Sequence, residues 1–529
     1  MNKKYILFAA IVGSSMGLAS CSDFLDEMPD QRTEVTSENA DYLLVTAYPN
    51  SMPLEMFEMY SDNTDAFPNR YAAWSRLQED LYKWEDTSQN EDDSPAAVWE
   101  GCYKAIATAN QVLTMIAEQG NPSTMDATRG EALLCRAYNH FILATVFCKA
   151  YSSTAATDLG VPYMTSLENT VSPNYDRGTL EELYKGIEKD LLEGLPLISD
   201  SKYSVPKYHF NKNAANAFAA RFYLNYTQPD LSNYDKVIEY ATAVLGDNPS
   251  LMLRDWEALG ALSLNGEIQP NEYVDAERAA NLMLVCFHSY WGYVSGPYGL
   301  GERYAHGPEV SYETNRSNGP WGNYTSSPNT TIYRVGVWSN SSALPTKIIS
   351  MKVAQYKEYV DVVAGTINGY CVNAAFTADE LLLSRAEAYA MKKDYTHALA
   401  DLNSWMAAYT TRSQVMTEEE INAFYDGLAY YTPTEPTVKK ELHPEFTIEK
   451  GTQENLIHAI LQARRITTLH EGLRWLDIKR FGITVYRRYM KDDGSIEVTD
   501  QMDANDARRA IQIPSDVISA GMEPNPRNN

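Results

Sequence analysis

The chain has 529 residues and a formal net charge of −26, with 70 Asp and Glu against 44 Lys and Arg. Phosphate binding rests on basic patches, so this balance argues against nucleic acid as a partner. Past the N-terminus no stretch approaches the roughly eighteen consecutive apolar residues of a spanning helix, and the length allows several domains or one large α-rich one.

The N-terminus opens with Lys3 and Lys4, followed by an almost unbroken apolar run from Tyr5 to Leu18. This is the layout of a secretory signal peptide over residues 1–20. Leu18-Ala19-Ser20-Cys21 then resembles the lipobox of bacterial lipoproteins. That resemblance implies cleavage before Cys21 and acylation of its sulfur and amine. Acyl chains contribute about 0.8 kcal/mol per buried CH₂, so two or more anchor a protein stably. Residues 21–36 are polar and acidic and read as the lipidated N-terminus and tether. Asp23, Asp26 and Glu27 resemble the surface-display signal of Bacteroidetes lipoproteins, or form a solvated acidic linker.

A first aromatic segment, "RYAAWSRLQEDLYKWED" (70–86), places Trp74 in a loop region. The acid run Glu91-Asp92-Asp93 reads as a solvated face or a helix N-terminus. A helix begins at Ser94-Pro95, with Trp99, Tyr103, Ile106, Ala107, Asn110, Leu113 and Ile116 on one face. Gly120-Asn121-Pro122 stops it. A second helix over 125–150 carries Leu134, Ala137, Tyr138, Phe141, Thr145 and Cys148, completing an αα-hairpin. His140 on this helix reads as a structural residue.

A helix over 179–195 precedes a further hairpin at 219–245, with Ala220 and Tyr223 on one arm and Val237 and Ala241 on the other. The hairpin at 379–403 is clearer, with Leu382, Ala386 and Tyr389, then Ala398 and Leu402. These spacings resemble the tetratricopeptide repeat, whose small residues let paired helices approach closely. The copies are scattered rather than tandem. They predict a mainly α scaffold with long loop-rich insertions and minor β-hairpins, not a free solenoid.

The longest insertion, 290–345, mixes Gly, Pro, Ser and Asn with Trp291, Tyr293, Tyr298, Trp321 and Tyr324. Neither a helical nor a strand period survives there, so it reads as loops, and long ordered loops on a rigid scaffold carry function. Together with Trp74 these rings are the candidate ligand-binding residues. A sugar lays its axial C–H groups on a flat aromatic face, while its hydroxyls need Asn, Asp, Arg or backbone partners. The alternative for each ring is packing of the loops onto the scaffold. As a group they would be hard to bury in so short a segment.

Catalytic signatures are missing from the sequence. There is no GxSxG, and "HEGLR" (470–474) has Arg474 where a zinc-protease helix needs its second histidine. "GPYGLGERYAHG" (296–307) fits neither a Walker loop nor a dinucleotide fingerprint. Besides Cys21 the cysteines are Cys102, Cys135, Cys148, Cys286 and Cys371, an odd and irregular set that reads as small buried hydrophobes. The eight histidines are isolated and no CxxC is present, so neither metal nor cofactor is expected. Glu418-Glu419-Glu420 reads as a solvated face or helix start, and Asp493-Gly494 as a hairpin turn.

The C-terminal third carries a resemblance. "LQARRITTLHEGLRWLDIKRFG" (461–482) resembles the conserved segment of the SusD/RagB family of Bacteroidetes surface nutrient-binding lipoproteins, at Arg464, Arg465, Glu471-Gly472, Arg474-Trp475, Asp477, Lys479-Arg480 and Gly482. "IQIPSDVISAGMEPNP" (511–526) looks like the family's ending without its fuller tail, and "CSDFLDEMP" (21–29), "YSDN" (60–63) and "WEGCYKAIATANQVL" (99–113) resemble its N-terminal half. Glu471, Arg474, Asp477 and Arg480 stand at steps of three, where helix neighbours pair, and are expected to fasten the scaffold. The resemblance implies a single SusD-like domain over 37–529, with halves 37–260 and 261–529 and ligand loops on one face. It implies a non-catalytic binder of glycans, or in some members peptides, partnered by a SusC-type TonB-dependent outer-membrane transporter. A purely structural repeat scaffold, with its aromatics in the core, is the third reading.

Overall fold

A computed structural model describes residues 37–67, 72–167, 175–263, 266–295, 303–324, 352–361 and 365–527. The early helices are α1 (Ser37–Leu44), α2 (Leu54–Tyr60), α3 (Arg76–Tyr82), α4 (Pro95–Glu118) and α5 (Asp126–Phe147). They are followed by α6 (Leu180–Gly194), α7 (Lys212–Asn225), α8 (Asn233–Leu245), α9 (Trp256–Ala261) and α10 (Ile268–Tyr273). Two short helices, α11 (Trp291–Val294) and α12 (Pro308–Glu313), lie in the long insertion. The chain closes with α13 (Ala378–Met391), α14 (Tyr395–Tyr409), α15 (Glu418–Asp426), α16 (Thr452–Thr467), α17 (Arg474–Arg480) and α18 (Ser515–Ser519).

The expected hairpins are α4–α5, α7–α8 and α13–α14, and their boundaries follow local chemistry. The Ser94 hydroxyl accepts from Ala97 N–H at 3.1 Å with Pro95 at the first helical position, so α4 starts where it must. Gly120 and Asn121 turn the chain after it with φ of 78° and 52°. Thr179 and Glu182 form a capping box on α6, and Thr417 and Glu420 form another on α15, which places Glu418-Glu419-Glu420 in a helix's first turn as expected. α13 is buried nearly all round and packs on α7, α8, α14 and α16, so it has no solvent stripe. One apolar core runs from Ala40 to Ile513 and joins both halves of the chain.

Two small sheets complete the body. In one, β1 (Asp65–Ala66) pairs antiparallel with β3 (Tyr304–Ala305) and parallel with β6 (Val485–Met490), which forms a hairpin with β7 (Ile496–Met502). The Asp493-Gly494 turn closes that hairpin, with Gly494 at φ 85°. In the other, β5 (Thr366–Thr377) lies between β2 (Asn281–His288) and β4 (Tyr356–Asp361), all antiparallel. Among the described residues no helix is long and apolar enough to cross a membrane.

One expectation is corrected at this level. Cys102, Cys135, Cys148 and Cys371 are buried, but Cys286 is exposed on β2, at an outward position of the pleat. Of the two readings of the Glu91-Asp92-Asp93 run, the helix N-terminus holds for Asp93, which is buried immediately before the Ser94 cap.

Candidate functional site

The site is built from two segments far apart in sequence. At the end of β2 the Ser289 hydroxyl donates to the Asp93 carboxylate at 2.6 Å, and Tyr290 N–H donates to its other oxygen at 2.8 Å. Trp291 N–H then donates to Ser289 Oγ at 2.9 Å and α11 begins. Gly292 lies so close to the Ala354 backbone that a Cβ would fall 2.5 Å from the Ala354 carbonyl carbon, so no larger residue fits. Trp291 turns inward, 2% exposed, and its indole N–H donates to the His470 carbonyl at 2.9 Å. Its neighbour Tyr290 points outward, 45% exposed, and Tyr293 is half-buried at the rim.

The second wall comes from residues 72–78. Phe67 N–H donates to the Arg303 carbonyl at 2.8 Å, continuing the β1–β3 ladder, and Arg303 N–H donates to Ala72 O at 3.1 Å. These bonds bring the stretch before α3 alongside the insertion. Ser75 caps α3 at Gln78 N–H, and the Gln78 side chain accepts from Trp74 N–H at 3.2 Å. Trp74 is thus held at the surface, 45% exposed, with its ring centroid 4.9 Å from that of Tyr293 and the planes at 44°. Trp74 and Tyr293 form an aromatic edge open to solvent, and Tyr290, also exposed, lies three residues before Tyr293 in the chain.

The remaining candidates fall elsewhere. Trp321 is 1% exposed and packs edge-on against Trp405 at 4.9 Å, inside the core. The expectation that Trp291 and Trp321 offer stacking faces is therefore corrected. Each indole anchors its loop, since an irregular segment without helical or strand packing needs large apolar side chains to hold it down. Tyr324 is half-buried near the Arg316 guanidinium, 5.8 Å from its ring centroid, and its N–H donates to Asn318 Oδ1. Tyr298 and Cys21 lie outside the described residues. Tyr290 and Tyr312, both exposed, were not singled out from sequence; alternation with the buried Trp291 is the only signal that could have marked Tyr290.

Behind the edge lies a dense buried charge network. Glu58 is fully buried and takes Asn63 Nδ2 at 3.0 Å, Gly472 N–H at 2.9 Å and His306 Nε2 at 3.0 Å. Asp62 receives two Arg474 bonds at 2.9 Å and faces Arg465 at 3.4 Å. Burial alone would raise its carboxyl, but the Arg465 and Arg474 guanidiniums outweigh that and hold it well below the usual carboxylate range. Glu313 is shared by Arg465, Lys440 and Arg488 at 2.5–2.6 Å. Arg480 bridges Glu387 at 2.6 Å and Asp477 at 2.7 Å, and Asp477 also meets Arg464 at 3.1 Å.

The motif residues therefore fasten the scaffold, but mostly not by pairing with one another. Arg480–Asp477 is an i,i+3 pair; Arg474 reaches back to Asp62, and Glu471 lies off α17 and accepts from the Tyr273 hydroxyl at 2.6 Å. Lys479 is buried without a carboxylate, donating to the Thr145 and Cys148 carbonyls at 2.9 and 2.5 Å, and burial pushes its ammonium down to about 7. Burial pushes the Asp93 carboxyl up to about 7, against the Ser289 and Tyr290 bonds. His140 is structural, as expected. It lies fully buried between the Arg136 carbonyl and Met164 N–H.

Two larger cavities lie away from the edge. One, of about 340 Å³, is lined by Trp99, Tyr103, Met164 and Met522. Of its polar side chains, Tyr103 is engaged with the Pro162 carbonyl and Asn110 with the Met164 and Ser166 carbonyls. The other, of about 400 Å³, is bordered by Arg254 and by Arg278, which is paired with Glu272. Among the described residues no three His, Cys, Asp or Glu side chains gather as a metal site.

Residues 23–224 match the family model SusD-like_3, described as "Starch-binding associating with outer membrane". The fold matches solved structures over nearly the whole chain. A SusD superfamily protein from Bacteroides thetaiotaomicron VPI-5482 aligns with TM-score 0.65 at 18% identity, covering 93% of this chain and 100% of that one. The fold is SusD-like. A putative sugar binding protein from Bacteroides vulgatus ATCC 8482 aligns with TM-score 0.64 at 18% identity, covering 93% and 97% of the two chains. A SusD-like carbohydrate binding protein from the same strain aligns with TM-score 0.60 at 15% identity, covering 92% and 96%. No curated protein sequence matches the chain.

Proposed function

We propose that this SusD-like protein is a cell-surface lipoprotein that captures nutrient oligo- or polysaccharides and hands them to a SusC-type TonB-dependent transporter. The observation that carries the reading is the open Trp74–Tyr293 pair. Flat exposed rings suit the C–H faces of sugars, and large aromatics left in water at the tip of a rigid scaffold mark binding sites. The net charge of −26 suits a neutral ligand better than an anionic one. Anchoring through Cys21 rests on the lipobox pattern, and outer-membrane association on the description of the matching family. No catalytic step is invoked.

A glycan array followed by calorimetry on the protein lacking residues 1–20 tests the reading. Hot-spot aromatics cost about 2 kcal/mol or more on truncation, which is roughly 30-fold in affinity. Trp74→Ala is expected to weaken the best array glycan by that factor with an unchanged melting temperature, because the ring is half exposed. An array without a bound glycan, or normal binding by Trp74→Ala, overturns the assignment. For the anchor, a palmitate analogue is expected to label the wild-type protein in cells and not Cys21→Ala; equal labelling refutes it.

A further inference from the structure

We propose that Asp93 is a positioning residue for the aromatic edge: its carboxylate, at the entrance to α4, sets the orientation of the turn that carries Tyr290 and Tyr293. Asp93 is 1% exposed, and among the described residues none of the ion pairs includes it. A buried carboxylate without a cation is costly, and its hydrogen bonds offset part of that cost. Both come from one place, the Ser289 hydroxyl at 2.6 Å and the Tyr290 N–H at 2.8 Å. Two donors converge there, and only a carboxylate offers an acceptor to each. An asparagine would turn an NH₂ group toward one of them.

The backbone confirms that the position is imposed by its surroundings. Asp93 has φ 69°, in the left-handed region that non-glycine residues seldom occupy. The next residue, Ser94, caps α4. One dipeptide thus ties the first long helix of the scaffold to the start of the insertion. The tie is relayed onward, since Ser289 Oγ accepts from Trp291 N–H at 2.9 Å and so fixes where α11 begins. The buried Trp291 indole fixes its other side through the His470 carbonyl. With both ends held, Tyr293 meets Trp74 at 4.9 Å. The bearing of this clamp on ligand capture rests on the function proposed above; the ring geometry it sets does not, so the test is made without glycan.

The experiment is fluorine NMR of the protein labelled with 5-fluorotryptophan, with the Trp74 signal assigned from Trp74→Phe. Tyr293→Leu removes the neighbouring ring current and gives the reference shift for an unpaired Trp74. In Asp93→Asn and in Ser289→Ala the Trp74 signal is expected to move at least halfway to that reference, and Ser289→Thr, which keeps the hydroxyl, is expected to restore it. The signal of Trp321, held in the core away from the clamp, serves as the internal control and is expected to stay in place. A Trp74 signal that remains at its wild-type position in both Asp93→Asn and Ser289→Ala overturns the proposal, even if their melting temperatures fall. Should Asp93→Asn fail to fold, the Ser289→Ala and Ser289→Thr pair decides alone. Because no ligand enters, an array without a glycan hit would refute the proposed function and leave this inference standing.

Discussion

Around α16 and α17 the chain buries Arg464, Arg465, Arg474 and Arg480 together with Asp62, Glu313, Glu387 and Asp477, whereas at the rim it leaves Trp74 and Tyr290 half in water. The first region pairs its charged groups with one another, Asp62 from the N-terminal part and Glu313 from the middle of the chain both meeting C-terminal arginines. The second is thin, aromatic and held by a few hydrogen bonds to backbone and to Asp93. The residues of the 461–482 motif and those of the candidate rim are thus separate here. The charge network ties Asp62 and Asp65 near the start of the chain to Arg474 and Arg488 near its end.

That contrast can be broken by mutation. The largest effect is expected for Glu313→Ala, which strips the shared carboxylate from Arg465, Lys440 and Arg488. Leaving buried charges uncompensated costs about 3–5 kcal/mol, and the upper end is expected in urea unfolding because three cations lose one partner. A loss under about 1 kcal/mol would show the network to be dispensable. Next, Trp291→Ala and Trp321→Ala are each expected to lose about 3–4 kcal/mol, as for other buried tryptophans cut to alanine. If either variant keeps its stability, the indole belongs to the rim after all and the division drawn here fails.

The smallest effect concerns Lys479, which sharpens the comparison by pH. Its folded pKa of about 7 lies below the ordinary lysine value of 10.5, so the unfolded chain binds more protons between those values. Its contribution to stability is present above pH 10.5 and is lost as pH falls through about 7. Lys479→Met is expected to flatten the rise of melting temperature between pH 7 and 10 relative to wild type. An unchanged slope would mean that the buried ammonium finds compensation in the folded protein.

The helical hairpins were legible because period, caps and small residues agree: Ser94-Pro95, Gly120-Asn121, and the Ala386, Ala398 and Leu402 spacing all lie where expected. The role of the 461–482 motif was legible in kind, as a fastener, but its partners were not. Asp62 and Glu313 lie far away in sequence, and helix spacing speaks only to near neighbours. Trp291 and Trp321 were misplaced for a related reason. Without a helical or strand period, sequence cannot say which rings of an insertion face inward. The meeting of Trp74 with Tyr293 follows from a two-residue pairing, Asp65 with Ala305 and Ala66 with Tyr304, too short for any pattern to announce. The place of Asp93 at a helix N-terminus was legible, but only the fold brings Ser289 and Tyr290 to it.

The strand order β3-β1-β6-β7 has a consequence for how the molecule comes to be. β1 lies between strands from the middle and the end of the chain, and its Ala66 pairs with Tyr489. Closing a loop of that length is slow compared with winding a helical hairpin, so the helices form early and this sheet late. Until Val485–Met490 has been made, β1 lacks its β6 neighbour. A chain truncated before Val485 would keep most of its hairpins yet expose β1 as an unpaired edge, a template for joining another copy rather than a scaffold for a rim.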